Sequence, residues 1–118
     1  MRQFILGTAV AMLLPVVAQA QDAAAGEKAF AVCKACHAFG KNGVGPDLKG
    51  VVGRKAGTHE GYNYSAPMKN SGLTWDEATM KKWLADPKGT VPGTKMIFAG
   101  IKDEKKLDDL IAYLKTQQ

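Results

Sequence analysis

The sequence predicts a small all-α domain, with three main helices and long loops, behind a secretory signal. Residues that favour the start of a helix occur near Asp22, Thr74 and Asp103. Apolar residues in the last of these segments recur at helical spacing, and the connecting segments are long and rich in glycine. Long irregular segments are uncommon in small domains unless something organises them. The pattern therefore indicates a few helices wrapped around a bound group.

The first 20 residues have the composition of a signal peptide. Arg2 gives a positive start, residues 4–17 form an apolar run, and Ala18-Gln19-Ala20 is a small-residue cleavage site. The run is shorter than the roughly 20 apolar residues that a membrane span needs, although an uncleaved anchor stays open as an alternative. We expect cleavage after Ala20, export to the periplasm, no stable membrane insertion and a mature domain over residues 21–118.

The chain of 118 residues has a net charge of +5, which falls to +4 once Arg2 is removed. A mature domain of this size has a marginal core and would gain stability from a large apolar cofactor. A basic surface suits an acidic protein, an anionic membrane or nucleic acid. The sequence has no basic groove interleaved with aromatic residues, so nucleic acid is not an expected partner.

The first helix is predicted from Asp22, which can cap it, to about Lys34. Residues 39–61 contain many glycines and polar residues together with Pro46, which predicts a long loop with turns. A short helix follows from about Ser65 to Asn70, and Gly72 then breaks the chain.

Thr74 and Glu77 form a capping box, which predicts a helix that starts at Thr74 and runs to about Ala85. Asp86-Pro87 ends it, because the residue before a proline avoids the α conformation, and residues 88–100 are predicted to be loop. The last helix starts near Asp103 and continues past Leu114. Its apolar stripe, which should face the core, consists of Leu107, Leu110, Ile111 and Leu114.

Cys33-Lys34-Ala35-Cys36-His37 is the C-x-x-C-H signature of covalent haem attachment. Two thiols at this spacing can each bond one vinyl group of a porphyrin, and the adjacent imidazole can then ligate the iron. A thiol-redox C-x-x-C motif would need a βαβ context, which is absent. A zinc site would need more protein ligands than His59, the only other histidine or cysteine, supplies.

Around these residues the chain resembles class I c-type cytochromes, the soluble bacterial and mitochondrial type, and the resemblance extends from Gly26 to Leu114. Beyond C-K-A-C-H it covers G-P-D-L at 45–48, G-R-K at 53–55, L-T-W at 73–75 and D-P-K at 86–88. It continues through P-G-T-K-M-I-F-A-G at 92–100 and D-L-I-A-Y-L-K at 109–115. It implies the cytochrome c fold around one haem c, attached through Cys33 and Cys36.

The resemblance also implies the roles of individual residues. His37 and Met96 would be the axial iron ligands, and the carbonyl of Pro46 would accept a hydrogen bond from His37. Both axial positions would then be filled, which favours electron transfer over catalysis. The residues implied to contact the two haem propionates are Arg54, Tyr64 and Trp75 for one, and Ser65 and Thr94 for the other.

Other matching positions are structural, and two positions differ from the best-known pattern. Gly26 and Phe30 would meet Leu110 and Tyr113 where the first and last helices cross. Trp83 replaces a tyrosine whose hydroxyl approaches the ligand methionine, and Met68 replaces an asparagine in a buried water network. These two differences leave the midpoint potential open.

The resemblance implies a monomeric carrier that docks through lysines on acidic sites of other redox proteins. Lys34, Lys88, Lys95 and Lys102 are the candidates, but Val32 occupies a position where many relatives carry lysine. The partner could be a cytochrome bc complex, an oxidase, a photosynthetic reaction centre or a periplasmic reductase or dehydrogenase. We expect an electron carrier and not an enzyme. The alternative is a haem peroxidase or gas-binding sensor in which Met96 is dissociated from the iron.

Overall fold

The computed structural model describes residues 7–9 and 21–118. The predicted signal peptide lies almost entirely outside these residues. The described part of the chain is all-α, as the sequence predicts, and its secondary structure consists of short helices, turns and one isolated β-bridge between Lys55 and Thr74. No helix in this part is long and apolar enough to cross a membrane. The helices are α1 Ala23–Ala29, a 3₁₀ turn Phe30–Cys33, α2 Ala66–Lys69, α3 Glu77–Ala85, α4 Pro87–Thr90 and α5 Glu104–Lys115.

Helix α1 begins where the sequence predicts. The Asp22 carboxylate accepts hydrogen bonds from the backbone N–H groups of Ala24 and Ala25, at 3.0 and 3.2 Å. The α-helix is shorter than expected, because the segment from Phe30 tightens into the 3₁₀ turn that carries Cys33. This turn delivers the two cysteines and His37 to the loop that follows.

The predicted start of α3 is wrong by two residues. Asp76, and not Thr74, is the N-cap: its carboxylate accepts from the N–H of Thr79 at 2.7 Å. Thr74 pairs instead with Lys55 in the β-bridge. Glu77 forms an ion pair with Lys115. Local capping rules select Thr74 as the N-cap, but Thr74 is paired with a residue distant in sequence, and the helix starts after Asp76 instead.

Asp86-Pro87 ends α3 but also starts α4, so residues 88–90 are helical and not loop. The Asp86 carboxylate accepts from the N–H of Gly89 at 3.0 Å, and Pro87 occupies the first helical turn, where it is favoured. The single turn of α4 redirects the chain into the irregular segment that contains Met96.

Helices α1 and α5 cross at close range and form one end of the core. A Cβ at Gly26 would overlap the backbone carbonyl of Asp109, so only glycine fits at the crossing. The Phe30 ring lies 5.5 Å from that of Tyr113. The α5 stripe of Leu107, Leu110, Ile111 and Leu114 is buried, at 1–3% exposure. The crossing and the stripe therefore agree with the sequence prediction.

Candidate functional site

One cavity of about 400 Å³ occupies the middle of the domain. This volume is within the usual range for a bound cofactor, and the cavity wall is mainly apolar. It brings together residues from the 3₁₀ turn, the long loop, α2, α3, the segment after α4 and α5. All ten predicted binding residues line it: Cys33, Cys36, His37, Pro46, Arg54, Tyr64, Ser65, Trp75, Thr94 and Met96.

The two cysteines lie at different depths. Cys33 is half-buried and Cys36 is exposed. Burial, together with the neighbouring Cys36, raises the pKa of the Cys33 thiol to about 11. The Cys33 thiol of the folded chain is therefore protonated at neutral pH and a poor nucleophile. A thiol-redox function with Cys33 as the attacking thiolate is therefore disfavoured.

His37 is held in one orientation by its neighbours. Its ring nitrogen Nδ1 lies 3.0 Å from the carbonyl oxygen of Pro46, to which it donates a hydrogen bond. Nε2 is then left with a free lone pair toward the cavity side of the ring. Burial lowers the pKa of His37, although the bond to Pro46 opposes this effect. The imidazole is accordingly neutral at neutral pH, as a metal ligand must be.

Gly45 supplies the space for this ring. A Cβ at position 45 would overlap the His37 imidazole. The sequence contains this glycine within G-P-D-L, but nothing local shows that its role is steric, because the contact spans eight residues of loop. Gly45 is thus a site residue to which sequence reasoning assigned no role.

Arg54 and Tyr64 place polar groups on the cavity wall. The Arg54 guanidinium donates to the carbonyl of Asp47 at 2.9 Å. The Tyr64 hydroxyl accepts from the backbone N–H of His59 at 3.2 Å and keeps its own proton to donate. Burial raises the pKa of Tyr64, so this hydroxyl stays protonated at neutral pH. Both side chains could serve an acidic group of a bound molecule.

Ser65 and Thr94 are partly committed to the backbone. The Ser65 hydroxyl oxygen accepts from the N–H of Met68 and caps α2, and that of Thr94 accepts from the N–H of Met96. Their hydroxyl protons remain available for a ligand.

Bulky buried side chains form the apolar wall. The rings of Trp75 and Trp83 lie 5.3 Å apart at an angle of 43°. Met68 and Met80 are buried in α2 and α3, and they also line the cavity. Both methionines therefore pack around the cavity itself.

The residues present fit a haem. A large apolar cavity has at its wall a motif for two thioether bonds, a neutral imidazole and the thioether of Met96. Imidazole and thioether are ligands of haem iron in cytochromes c. The apolar wall suits a porphyrin, while Arg54, Tyr64 and the hydroxyl groups suit its propionates, which need donors when they are removed from water.

The mouth of the cavity is apolar, and Lys95 lines the cavity as well. Val32, Val44 and Ile97 line it and are 64%, 74% and 98% exposed. They are the exposed large hydrophobic residues of the described part of the chain. The four lysines that the sequence selected are exposed as well. The ammonium groups of Lys95 and Lys102 donate to the backbone carbonyls of Asn63 and Ala85.

Comparisons with known proteins agree with this geometry. The family model described as Cytochrome c matches residues 23–118. The chain is 52% identical over 118 residues to the cytochrome c2 of Blastochloris viridis, an alignment that covers 98% of this chain and 93% of that protein. It is 60% identical over 90 residues to the cytochrome c2 iso-2 of Magnetospirillum fulvum, covering 75% and 94% of the two chains.

A solved structure is similar at the level of both sequence and fold. It is described as cytochrome cH from Methylobacterium extorquens, and it is 72% identical with a TM-score of 0.79. The match covers 80% of this chain and 98% of that one.

Proposed function

The chain belongs to the cytochrome c family and accordingly binds haem c and carries electrons, and we propose that His37 and Met96 are its two axial iron ligands. One observation carries this proposal: two ligand side chains far apart in sequence line the same apolar cavity as the attachment cysteines. The haem supplies an iron that changes between Fe(II) and Fe(III). The protein supplies the attachment, the ligands and a dry surrounding.

The chain's own residues would tune this reaction in three ways. The bond from His37 to Pro46 fixes the ring and leaves Nε2 to the iron. Trp75, Trp83, Met68 and Met80 exclude water from the cavity wall. The soft thioether of Met96 would favour Fe(II) and raise the potential. With two protein ligands no position is left for a substrate, so we propose a carrier and not an enzyme.

Partner binding would occur at the mouth of the cavity. We propose that Val32, Val44 and Ile97 contact an apolar patch on a redox protein, while Lys34, Lys88, Lys95 and Lys102 face acidic groups around that patch. Charge steering raises association rates more than affinity, which suits a shuttle. The proposed location is the periplasm, after signal cleavage behind Ala20.

The test uses the mature protein loaded with haem. We expect a pyridine haemochrome spectrum of thioether-linked haem, and a near-infrared charge-transfer band from a Met–Fe(III) bond at neutral pH. Met96→Ala should abolish this band and lower the midpoint potential. Met68→Leu changes another methionine of the same cavity at nearly constant volume, so it should keep the band. A wild-type protein without the band would contradict Met96 ligation and favour an open, enzyme-like site.

A further inference from the structure

Arg54 is held in the cavity wall by three neighbours from the long loop. Its Nη2 donates to the carbonyl oxygen of Asp47 at 2.9 Å, and its Nη1 donates to that of Lys49 at 3.3 Å. Nη1 also lies 3.4 Å from Nδ1 of His59. One of the three contacts of the guanidinium is therefore with an imidazole that is not part of the proposed ligand set.

Asp47 presents a fixed anion on the other side of that imidazole. Its carboxylate is buried, and Oδ1 accepts from the N–H groups of Gly40 and Lys49, both at 2.8 Å. Burial opposes its ionisation, but these bonds and the nearby His59 and Arg54 outweigh it and lower the pKa of Asp47. Asp47 is thus an anion at neutral pH, and its Oδ2 lies 3.7 Å from Nε2 of His59.

His59 lies between a cation and an anion. When it is neutral with its proton on Nε2, the Nδ1 lone pair can accept a hydrogen bond from Arg54. When Nδ1 also carries a proton, that acceptor is lost and the imidazolium repels Arg54 while it pairs with Asp47. The hydroxyl of Tyr64 touches the His59 backbone, and Glu60 is the adjacent exposed carboxylate. The two protonation states therefore hold Arg54 by different contacts.

We propose that His59, together with Asp47, is a positioning residue for Arg54 and couples proton binding at Nδ1 to the one-electron reduction of the haem. The coupling rests on the proposed function, because Arg54 can transmit it only through a haem propionate in this cavity. Reduction adds one electron, supplied by a redox partner or an electrode. The coupled proton comes from the solvent.

The sign of the coupling follows from charge. Reduction makes the iron site less positive, so His59 binds its proton more tightly in the reduced protein than in the oxidised protein. By reciprocity, a proton on His59 makes reduction more favourable. The midpoint potential should therefore fall as the pH rises through the range in which His59 titrates. A threefold difference in proton affinity corresponds to about 28 mV, because a tenfold change is 59 mV for one electron.

The test measures the midpoint potential of the haem-loaded protein from pH 5 to 9. We expect a step in the wild type and none in His59→Asn, whose amide can accept from Arg54 but does not titrate. The variant should hold the high-pH potential throughout. Glu60→Gln is the matched control, since it removes the adjacent charge without touching Arg54, and it should keep the step.

A second measurement follows the His59 ring protons by NMR in both oxidation states. Different titration midpoints, with the higher one in the reduced protein, would support the coupling. Equal midpoints, or a full step in His59→Asn, would overturn it. The near-infrared band of the same samples reports on Met96 ligation, so a failed coupling with the band intact leaves the proposed function standing.

Discussion

Gly45 shows how a single missing methyl group can leave room for the ring of a proposed iron ligand. A Cβ at this position would overlap the His37 ring, whereas a Cβ at Gly43 would lie an ordinary 3.6 Å from the carbonyl oxygen of Cys36. The two glycines are close in sequence and differ in what surrounds them. They therefore form a matched pair.

Gly45→Ala should displace the His37 imidazole, weaken its bond to Pro46 and destabilise the domain by about 1–3 kcal/mol, as overpacking usually does. Gly43→Ala should change little. Denaturant unfolding of the haem-loaded proteins measures the free energies, and visible absorption reports ligation. Equal stability and equal spectra for the two variants would show that the ring has room to move.

Trp83 should set part of the midpoint potential, because it is buried, lines the cavity and packs against Trp75. Trp83→Tyr introduces a hydroxyl donor, and Trp83→Phe makes the same reduction in size without it. We expect both to shift the potential, and by different amounts. Identical potentials for the tyrosine and phenylalanine variants would exclude an effect of the hydroxyl.

Some site residues are predictable from sequence and others are not. Cys33, Cys36 and His37 are found from a local motif, because its spacing allows two thioether bonds to one porphyrin and places a histidine beside them. Met96 is found through the resemblance of its whole segment, since a methionine in a glycine-containing loop has no signal of its own. The contacts of His59 with Asp47 and Arg54 join turns of an irregular loop, and no periodicity predicts which turns meet.

At the scale of elements, α3 has two residues near its start that are suited to the N-cap position. Thr74 and Asp76 are both good N-cap residues, and only the bridge of Thr74 with Lys55 decides between them. The unexpected α4 has a similar origin, because Gly89 and Thr90 have little helix propensity and the Asp86 carboxylate caps the turn. The existence of α3 was predictable from the sequence, whereas its exact start and the existence of α4 were not.

Asp76→Ala should lower Tm by about 4–8 °C, since it removes the acceptor for the Thr79 N–H at the start of α3. Thr74→Ala removes only the side chain that the capping-box prediction relied on, and its backbone pairing stays. Calorimetry of the two variants distinguishes the caps. A larger decrease in Tm for Thr74→Ala than for Asp76→Ala would support Thr74 as the N-cap of α3.

The crossing of α1 and α5 contains a pH-sensitive tie. Asp109 is buried in α5, and its Oδ1 accepts from Lys105 and from the backbone N–H of Asp22, the latter at 2.8 Å. The bond from Lys105 is the main cause that lowers the pKa of Asp109, and the bond from Asp22 adds to it. A carboxyl with a lowered pKa stabilises the fold above its unfolded pKa of about 3.9, and this contribution is lost as the pH falls further.

Asp109→Asn should therefore lower Tm at pH 7 and make Tm less dependent on pH between about 5 and 2. Thermal unfolding at several pH values measures both effects. Asp108→Asn on the same helix removes a partly exposed pair with Lys81 and serves as the control. If the pH dependence of Asp109→Asn matched the wild type, the tie would have no part in acid stability.

At the scale of the whole molecule, charge and apolar contact would have different roles in the proposed docking. In the proposed docking, the net charge of +5, or +4 once Arg2 is removed, would draw in acidic partners, and the exposed Val32, Val44 and Ile97 would provide short-range contact at the cavity mouth. With a valine at position 32, fewer charges surround the mouth. We expect electron-transfer rates to fall with salt.

Val32→Lys should raise the second-order rate at low salt severalfold and steepen its fall with ionic strength, because it adds a charge at the contact. Ala24→Lys adds the same charge on exposed α1, outside the cavity lining, and should have a smaller effect. Stopped-flow reduction by an acidic redox protein measures both. If the rates of Val32→Lys and Ala24→Lys fell equally with salt, docking at the cavity mouth would be contradicted.

The bond between Asp22 and Asp109 would also affect how long the proposed mature protein survives proteolysis. If the signal is cut behind Ala20, Gln21 alone precedes the residue whose backbone is tied to α5. The mature chain would then have almost no free N-terminal segment for an exopeptidase to bind. Cleavage a few residues earlier would leave a longer tail before this bond, and cleavage after Asp22 would remove the bond.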